Sequence, residues 1–518
     1  MVDAREYHER TNHSPQSVRE DGFQLDFSNR PRPYKLYTDL HREPLSSVRV
    51  PMAPALSAVA ETAADPLADA EQPSPGALDR ETLATLCYEA NGVVKTVTAD
   101  GREMAFRAAS CTGKLYHVDL YLICGDCEGL DAGVYHFDPR TFAFDVLREG
   151  GYRGVVAEAA GGYPPVAEAP VTIVATSTWW RNAWKYRERT YRHAFWDSGT
   201  VLANLLAAAH ALDHSAEVLT AFADDPLAEL LGLDPEHEAP LAAVSVGDGH
   251  PAPDPAEVRP IDPETEPLSD RVVEYPLIPD AWEQSTLPDG ETAADWRESC
   301  REAGSVGAVE GATGDGDRVA LDPVDHETAS ARPLHHTVVR RGSCREFSGE
   351  AIGRRKLGTV LDRATQGVPA DWNEGEADGL RYNDVYALVA GVEGVPDGTY
   401  RFHPNEGELE RIGDLDRRTK THLALDQTWA GAAHVNVYLM ADIEECVERL
   451  GNRGYRLAQL EAGITLGRLY LATYAHRDLG GTGLTFYDRE VTDHLSPRAA
   501  NRVPTCLFAF GRRDGVEQ

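Results

Sequence analysis

Short apolar runs and a few longer amphipathic ones set the architecture of this 518-residue chain. Residues 117–123 (HVDLYLI) and 171–177 (VTIVATS) alternate apolar with polar positions and predict strands, as do 384–392 (DVYALVAGV) and 435–442 (VNVYLMAD). Leu202, Leu205, Leu206 and Ala209 recur at helical spacing, which predicts a helix buried against a sheet. Residues 51–79 are rich in Pro, Ala and acids, and 249–330 in Pro, Asp, Glu and Gly, so both predict connections. Apolar islands such as VVEYPLIPDAW predict that part of the second connection packs on a domain. Residues 1–50, polar with scattered aromatics, predict an arm lying on the body.

The pattern occurs twice. Residues 127–139 (CEGLDAGVYHFDP) match 392–404 (VEGVPDGTYRFHP) without a gap, and 117–123 falls on 382–389 (YNDVYALV). Downstream, 189–209 (RTYRHAFWDSGTVLANLLAAA) aligns with 453–473 (RGYRLAQLEAGITLGRLYLAT), and Phe222-Ala-Asp224 with Phe486-Tyr-Asp488. Four matches in order at nearly constant offset define an internal duplication. Each copy reads helix, strand, acidic-Gly turn, strand, long helix, short turn, strand. This predicts an α+β fold, helices flanking a mostly antiparallel sheet, with the copies packed as an intramolecular pseudo-dimer. The expected units are an arm and linker (1–79), a first domain (80–250), an acidic linker (251–330) and a second domain (331–518).

Composition narrows the functional classes. Against 84 Asp and Glu stand 50 Lys and Arg, only six of them lysine, for a net charge of −34. So acidic and lysine-poor a surface suits a high-salt cytoplasm and offers no basic field for general nucleic-acid binding. Eight cysteines in this length form no disulfide framework. The start is too polar for a signal peptide, and residues 201–212 are too short to span a bilayer, so a cytoplasmic protein is expected.

Candidate chemistry concentrates in a few places. In Arg340-Arg-Gly-Ser-Cys-Arg-Glu-Phe347, an extended backbone would put Arg341, Ser343 and Arg345 on one face. Two guanidinium forks and a hydroxyl suit a phosphate monoester, although a basic surface strand would read the same way. Arg512 and Arg513 follow the last strand of the second copy, where the first copy has Asp248. The first copy instead carries Ser110-Cys111-Thr112-Gly113, a small hydroxyl turn that lets backbone approach a planar ligand. The second copy has the acidic NEGEAD (373–378) there. Cys124 and Cys127 lack further ligands and read as structural, His335 and His336 read as loop residues, and no metal site is expected.

Together, RxSxR, a Ser-x-x-Gly turn, EG-x-x-x-G-x-Y-x-F-x-P and RxYR entering a long helix resemble the nitroreductase superfamily, and within it the SagB/ThcOx-type branch that includes azoline dehydrogenases. The lead-in YHERTNHS resembles that family too. The resemblance implies FMN at a domain interface. Arg341, Ser343, Arg345, Arg512 and Arg513 would serve the phosphate, and Ser110, Cys111, Thr112 and Gly113 of the other copy the flavin. A backbone element near flavin N5 falls on Leu484-Thr485-Phe486, without the family's two glycines. Lys185 and Tyr186 match the branch's acid–base pair, while an amphipathic pair on a helix surface is the plainer reading. One composite site is expected, its pseudo-symmetric mate being degenerate. The implied function is an FMN-dependent oxidoreductase acting on a small organic or peptide-borne group, with peptide-modification proteins as implied partners. NAD(P)H-dependent nitro or quinone reduction and a flavin-free docking protein are the alternatives.

Overall fold

A computed structural model describes residues 2–60, 78–99, 102–306, 317–324, 332–373 and 379–515. Most of the predicted loose stretch 51–79 and residues 374–378 of the acidic turn lie outside them. The first half builds a sheet from β1 (His41–Pro44), β2 (Val118–Cys124), β3 (Gly133–Asp138), β4 (Ala143–Glu149), β5 (Val171–Thr178), β6 (Ala216–Leu219) and β7 (Glu238–Val246), in the order β1-β4-β3-β2-β5-β7-β6. The second builds β8 (Arg318–Ala320), β9 (Asp384–Val389), β10 (Gly398–His403), β11 (Glu408–Gly413), β12 (Val435–Ala441), β13 (Leu479–Leu484) and β14 (Val503–Arg512), in the order β8-β11-β10-β9-β12-β14-β13. The orders are identical and every ladder in both sheets is antiparallel. The duplication is therefore one of topology, and the α+β pseudo-dimer is the architecture.

Helices cover the sheets: α1 (Arg80–Asn91), α2 (Trp179–Tyr186) and α3 (Thr190–Ala211) in the first half, then α4 (Leu334–Arg340), α5 (Arg354–Thr365) and α6 (Ile443–Ala475) in the second. Central helices α3 and α6 cross at Gly199 and Gly463, which occupy the same position in the two repeats. A Cβ on Gly199 would lie 2.3 Å from the Gly463 carbonyl carbon, and one on Gly463 2.6 Å from the Phe195 oxygen. Only glycine permits this crossing, so the pseudo-dyad passes here. Tyr191 and Tyr455, also equivalent, stack with centroids 6.4 Å apart and planes 5° apart.

The RxYR motifs hold the halves together across this axis. Arg189 and Arg192 of the first half bind Asp488 of the second at 3.1 and 2.8 Å. Arg453 and Arg456 bind Asp224 of the first at 2.5 and 2.7 Å. All six side chains are buried, so removing either carboxylate would strand two guanidiniums at a cost of about 3–5 kcal/mol. The sequence matches RxYR and F-x-D are thus two ends of one reciprocal lock.

The repeat also reaches further than the sequence reading took it. His13 donates its N–H to Asp488 at 2.7 Å, and Leu287 donates to Asp224 at 2.8 Å. Arg192 binds the His8 carbonyl and the Thr11 hydroxyl; Arg456 binds the Trp282 carbonyl and the Ser285 hydroxyl. Part of the predicted linker, around 277–287, therefore plays for the second half the role of the N-terminal arm. Ser14 then caps a six-residue helix (Pro15–Glu20), whereas Asp289 caps a fourteen-residue one (Gly290–Ala303). His335 and His336, expected in a loop, lie on α4, where His335 pairs with buried Glu89 at 2.5 Å.

Candidate functional site

Two pseudo-equivalent clefts lie where the halves meet. One gathers nearly all the candidate residues around the N-terminal half of α3. Asp197, on that helix, fixes the Ser110–Gly113 turn from beneath. Its carboxylate accepts from the Thr112 N–H (2.9 Å), the Thr112 hydroxyl (2.9 Å), the Cys111 thiol (3.2 Å) and His117 Nε2 (2.8 Å). Burial and this carboxylate raise the Cys111 pKa, so it stays a thiol. Cys111, His117 and Asp197 lie within 4.8 Å of one another, but these bonds already use them as an anchor. Glu461, the equivalent residue on α6, accepts the N–H groups of Arg381 and Tyr382 in the same way. A carboxylate holding the turn before the first central strand is thus common to both halves, and sequence reasoning missed it despite aligning the two acids.

The turn meets the second half directly. Arg341 leaves α4 on an extended backbone and donates Nε to Ala108 O (2.7 Å) and Nη2 to Arg107 O and Ala109 O (2.8 Å each). Its guanidinium lies 5.5 Å from the Tyr470 ring, whose hydroxyl accepts from Gly483 N–H near the end of β13. Leu484 and Thr485 follow, and Phe486 packs on Trp196 of α3 at 6.1 Å. The motif, the turn and the Leu484–Thr485 strand end therefore converge. Much of Arg341 is spent on backbone carbonyls of the first half, which is more than a basic surface strand would do.

At the rim, Gly113 has φ 65° and a Cβ there would lie 2.8 Å from the Tyr186 hydroxyl. Tyr186 is wedged edge-on against His193 at 4.6 Å, and Lys185 Nζ sits 5.0 Å above the Tyr186 ring. Burial, then Arg30 and Arg345, lower the Lys185 pKa; burial, then Asp197 and Cys111, raise that of Tyr186. The tyrosine keeps its proton while the lysine is more readily deprotonated. Lys114 is lowered by burial and the same two arginines. Among the described residues, none of Arg30, Lys114, Lys185 and Arg345 pairs with a carboxylate. Each lies on an aromatic ring instead: Trp184, Phe106, Tyr186 and Trp429, at 5.7, 4.6, 5.0 and 5.4 Å. Ser343 is exposed beside them.

The last two candidates diverge. Strand alternation turns Arg512 away to pair with Glu350 at 2.9 Å, so it does not join the group as expected. Arg513 lies beside Cys344, close to Arg332 and Arg340. Arg340 itself caps the carbonyls ending α6, and its pKa is held down to about 10 by burial and by Arg332 and Arg513.

The mate cleft is partly filled, with a small cavity left between Thr220, Trp296 and Arg453. Asp371 accepts the N–H groups of Thr220 and Ala221 at 2.8 and 2.7 Å, and these are the counterparts of Leu484 and Thr485. Val218 and Ala370 form a single parallel bridge. Helix Gly290–Ala303 packs on Leu450, the counterpart of Tyr186, where Trp296 donates to Leu450 O at 2.9 Å; Arg449, the counterpart of Lys185, donates to Ala303 O but stays exposed.

A family model, "Nitroreductase family", matches residues 74–248. A Methanocaldococcus jannaschii protein named as a nitroreductase is 27% identical over 145 residues, covering 28% of this chain and 72% of that one. The crystal structure of an Anabaena variabilis protein, also named as a nitroreductase, superposes with a TM-score of 0.76 at 22% identity. It covers 99% of this chain and 100% of its own, so both halves share its fold. Residues 74–248 thus match the nitroreductase family model, and the whole chain is two fused domains of the nitroreductase fold.

Proposed function

We propose that the chain is an FMN-dependent oxidoreductase of the SagB-type branch, with one composite flavin site in the open cleft, acting on a small organic or peptide-borne group. The observation that carries this reading is the contact of Arg341 with the carbonyls of Arg107, Ala108 and Ala109, which joins the two half-sites. The donor set supports it. Among the described residues, cations without carboxylate partners and the Ser343 hydroxyl suit a phosphate, and no carboxylate occupies the Leu484–Thr485 backbone as Asp371 occupies its counterpart.

In this reading Ser343 and Arg345, with Arg513, serve the phosphate, while Arg341 holds motif and turn in register. Ser110, Cys111, Thr112 and Gly113 present backbone and small side chains to the flavin face. When bound, FMN supplies the redox chemistry; the protein orients it and selects the substrate. Tyr186, with its raised pKa, donates a hydrogen bond at the rim. Lys185, with its lowered pKa, accepts the substrate proton.

The purified chain should be yellow, release FMN on denaturation and lose its flavin absorbance under a reductant such as dithionite. A chain that stays colourless after reconstitution with excess FMN would contradict the reading. Bleaching by NAD(P)H alone would assign it to reduction rather than substrate dehydrogenation.

A further inference from the structure

The two arms leave the pseudo-dyad alike and then part company. On the mate cleft the capped helix Gly290–Ala303 bonds to the counterparts of Lys185 and Tyr186 and helps bury the second of them, Leu450, while Arg449 stays exposed. On the open cleft the capped helix stops at Glu20, and the chain continues as an extended border. Trp184 fastens that border through a bond from its Nε1 to Asp26 O at 2.9 Å.

What the border carries is unlike the rest of the surface. Phe27 is 70% exposed, yet its ring is fixed edge-on to Trp184 with centroids 5.6 Å apart. Arg30 lies 5.7 Å from the Trp184 ring and joins Lys114, Lys185 and Arg345. These two are a third of the chain's six lysines. Holding such cations together without carboxylates, in a protein of net charge −34, is electrostatically costly unless an anion is recognised there. The cofactor phosphate does not account for Arg30, which comes from the arm and not from the motif or turn that meet at Arg341. An exposed ring beside an unpaired guanidinium suits a flat group that carries a negative charge.

We infer that Phe27 and Arg30 form a specificity wall at the mouth of the open cleft that selects small aromatic carboxylates, the ring packing on Phe27 and the carboxylate meeting Arg30. This rests on the flavin reading for its catalytic arm but not for its binding arm.

The test uses 4-nitrobenzoate and its neutral analogue 4-nitrobenzyl alcohol on full-length Arg30→Glu and Phe27→Ala. Both side chains are exposed, so folding should survive, and circular dichroism verifies it. Calorimetry on the chain as purified should show 4-nitrobenzoate binding at least tenfold weaker in Arg30→Glu, with the alcohol changed less than twofold. Phe27→Ala should weaken both ligands. In the flavin-loaded chain supplied with NAD(P)H as reductant, KM for the carboxylate relative to that for the alcohol should rise in Arg30→Glu, with flavin content unchanged. Equal effects of Arg30→Glu on both ligands, or no effect, would overturn the wall. Loss of flavin from Arg30→Glu would also overturn it, assigning Arg30 to the cofactor. A colourless wild type that still discriminates the two ligands through Arg30 would keep the wall and overturn only the flavin reading.

Discussion

The two clefts are built from the same positions and differ in what fills them. In one, Leu484 and Thr485 end a strand beside the Ser110–Gly113 turn, and cations with no acidic partner among the described residues line the rim. In the other, Thr220 and Ala221 donate to Asp371, and the helix carrying Trp296 lies over Leu450. Both keep the carboxylate that pins the turn and the arginine pair that locks the halves. Duplication thus preserved what stabilises the interface in both places and, in the proposed reading, what binds an anion in one. Structural and functional residues can be separated by asking which survive in both copies.

That comparison can be broken most severely at Lys185. Lys185→Ala should lower kcat by roughly 10²-fold or more, the scale of a lost general base, with flavin content retained. Arg449→Ala at the mate position should leave activity within about twofold. The wild-type rate should rise with pH through a lysine pKa lying below its ordinary value, because the base acts only after losing its proton. Equal effects of the two substitutions, or a flat pH profile, would remove Lys185 from the chemistry.

Next in size is the joint between the half-sites. Arg341→Ala should weaken FMN binding by roughly 1–3 kcal/mol, the scale of lost charge-assisted bonds, as read by flavin titration. No residue of the mate cleft can compensate. A titration matching wild type would mean that the contact with residues 107–109 is incidental to the cofactor.

The arms offer a comparison in pH. Burial first, and then Arg189 among the neighbouring charges, lowers the His13 pKa to about 3; burial followed by Arg192 lowers His8. A histidine depressed in the fold binds protons more readily when unfolded, so this stability contribution falls as pH drops from about 6.5 toward 3. Trp282 and Leu287 stand at the equivalent places in the second arm and do not titrate. Hydrogen exchange at pH 7 and pH 4.5 should show residues 4–13 losing protection while 277–287 keep it. Uniform loss would point to global unfolding instead. The smallest expected effect is a melting temperature that rises from low to molar potassium chloride, as screening relieves the acidic surface; a salt-independent melt would count against the high-salt reading.

Much of this contrast was legible in the chain itself. Ungapped matches gave the repeat because strand and helix patterns must be kept for each half to fold. The complementary sets Ser110–Gly113 and Arg341–Arg345 suggested which half would supply what to the proposed site. Less visible were effects that depend on direction. Arg512 and Arg513 are neighbours in sequence, but alternation sends them to opposite sides. Arg30 is one of several arginines in a polar arm, and only folding sets it beside Lys185. Asp371 sits just before an acidic turn that reads as surface, whereas it is buried on two backbone N–H groups. The second arm was hidden because YHERTNH and AWEQSTL share backbone roles and hardly any residues.

The central claim is one functional cleft per chain, and flavin stoichiometry tests it most directly. Full-length protein reconstituted with excess FMN, freed of unbound cofactor and then denatured should release one FMN per chain, because Asp371 and the Gly290–Ala303 helix occupy the second position. A ratio of two would contradict the account, since both clefts would then have to open to the same ligand.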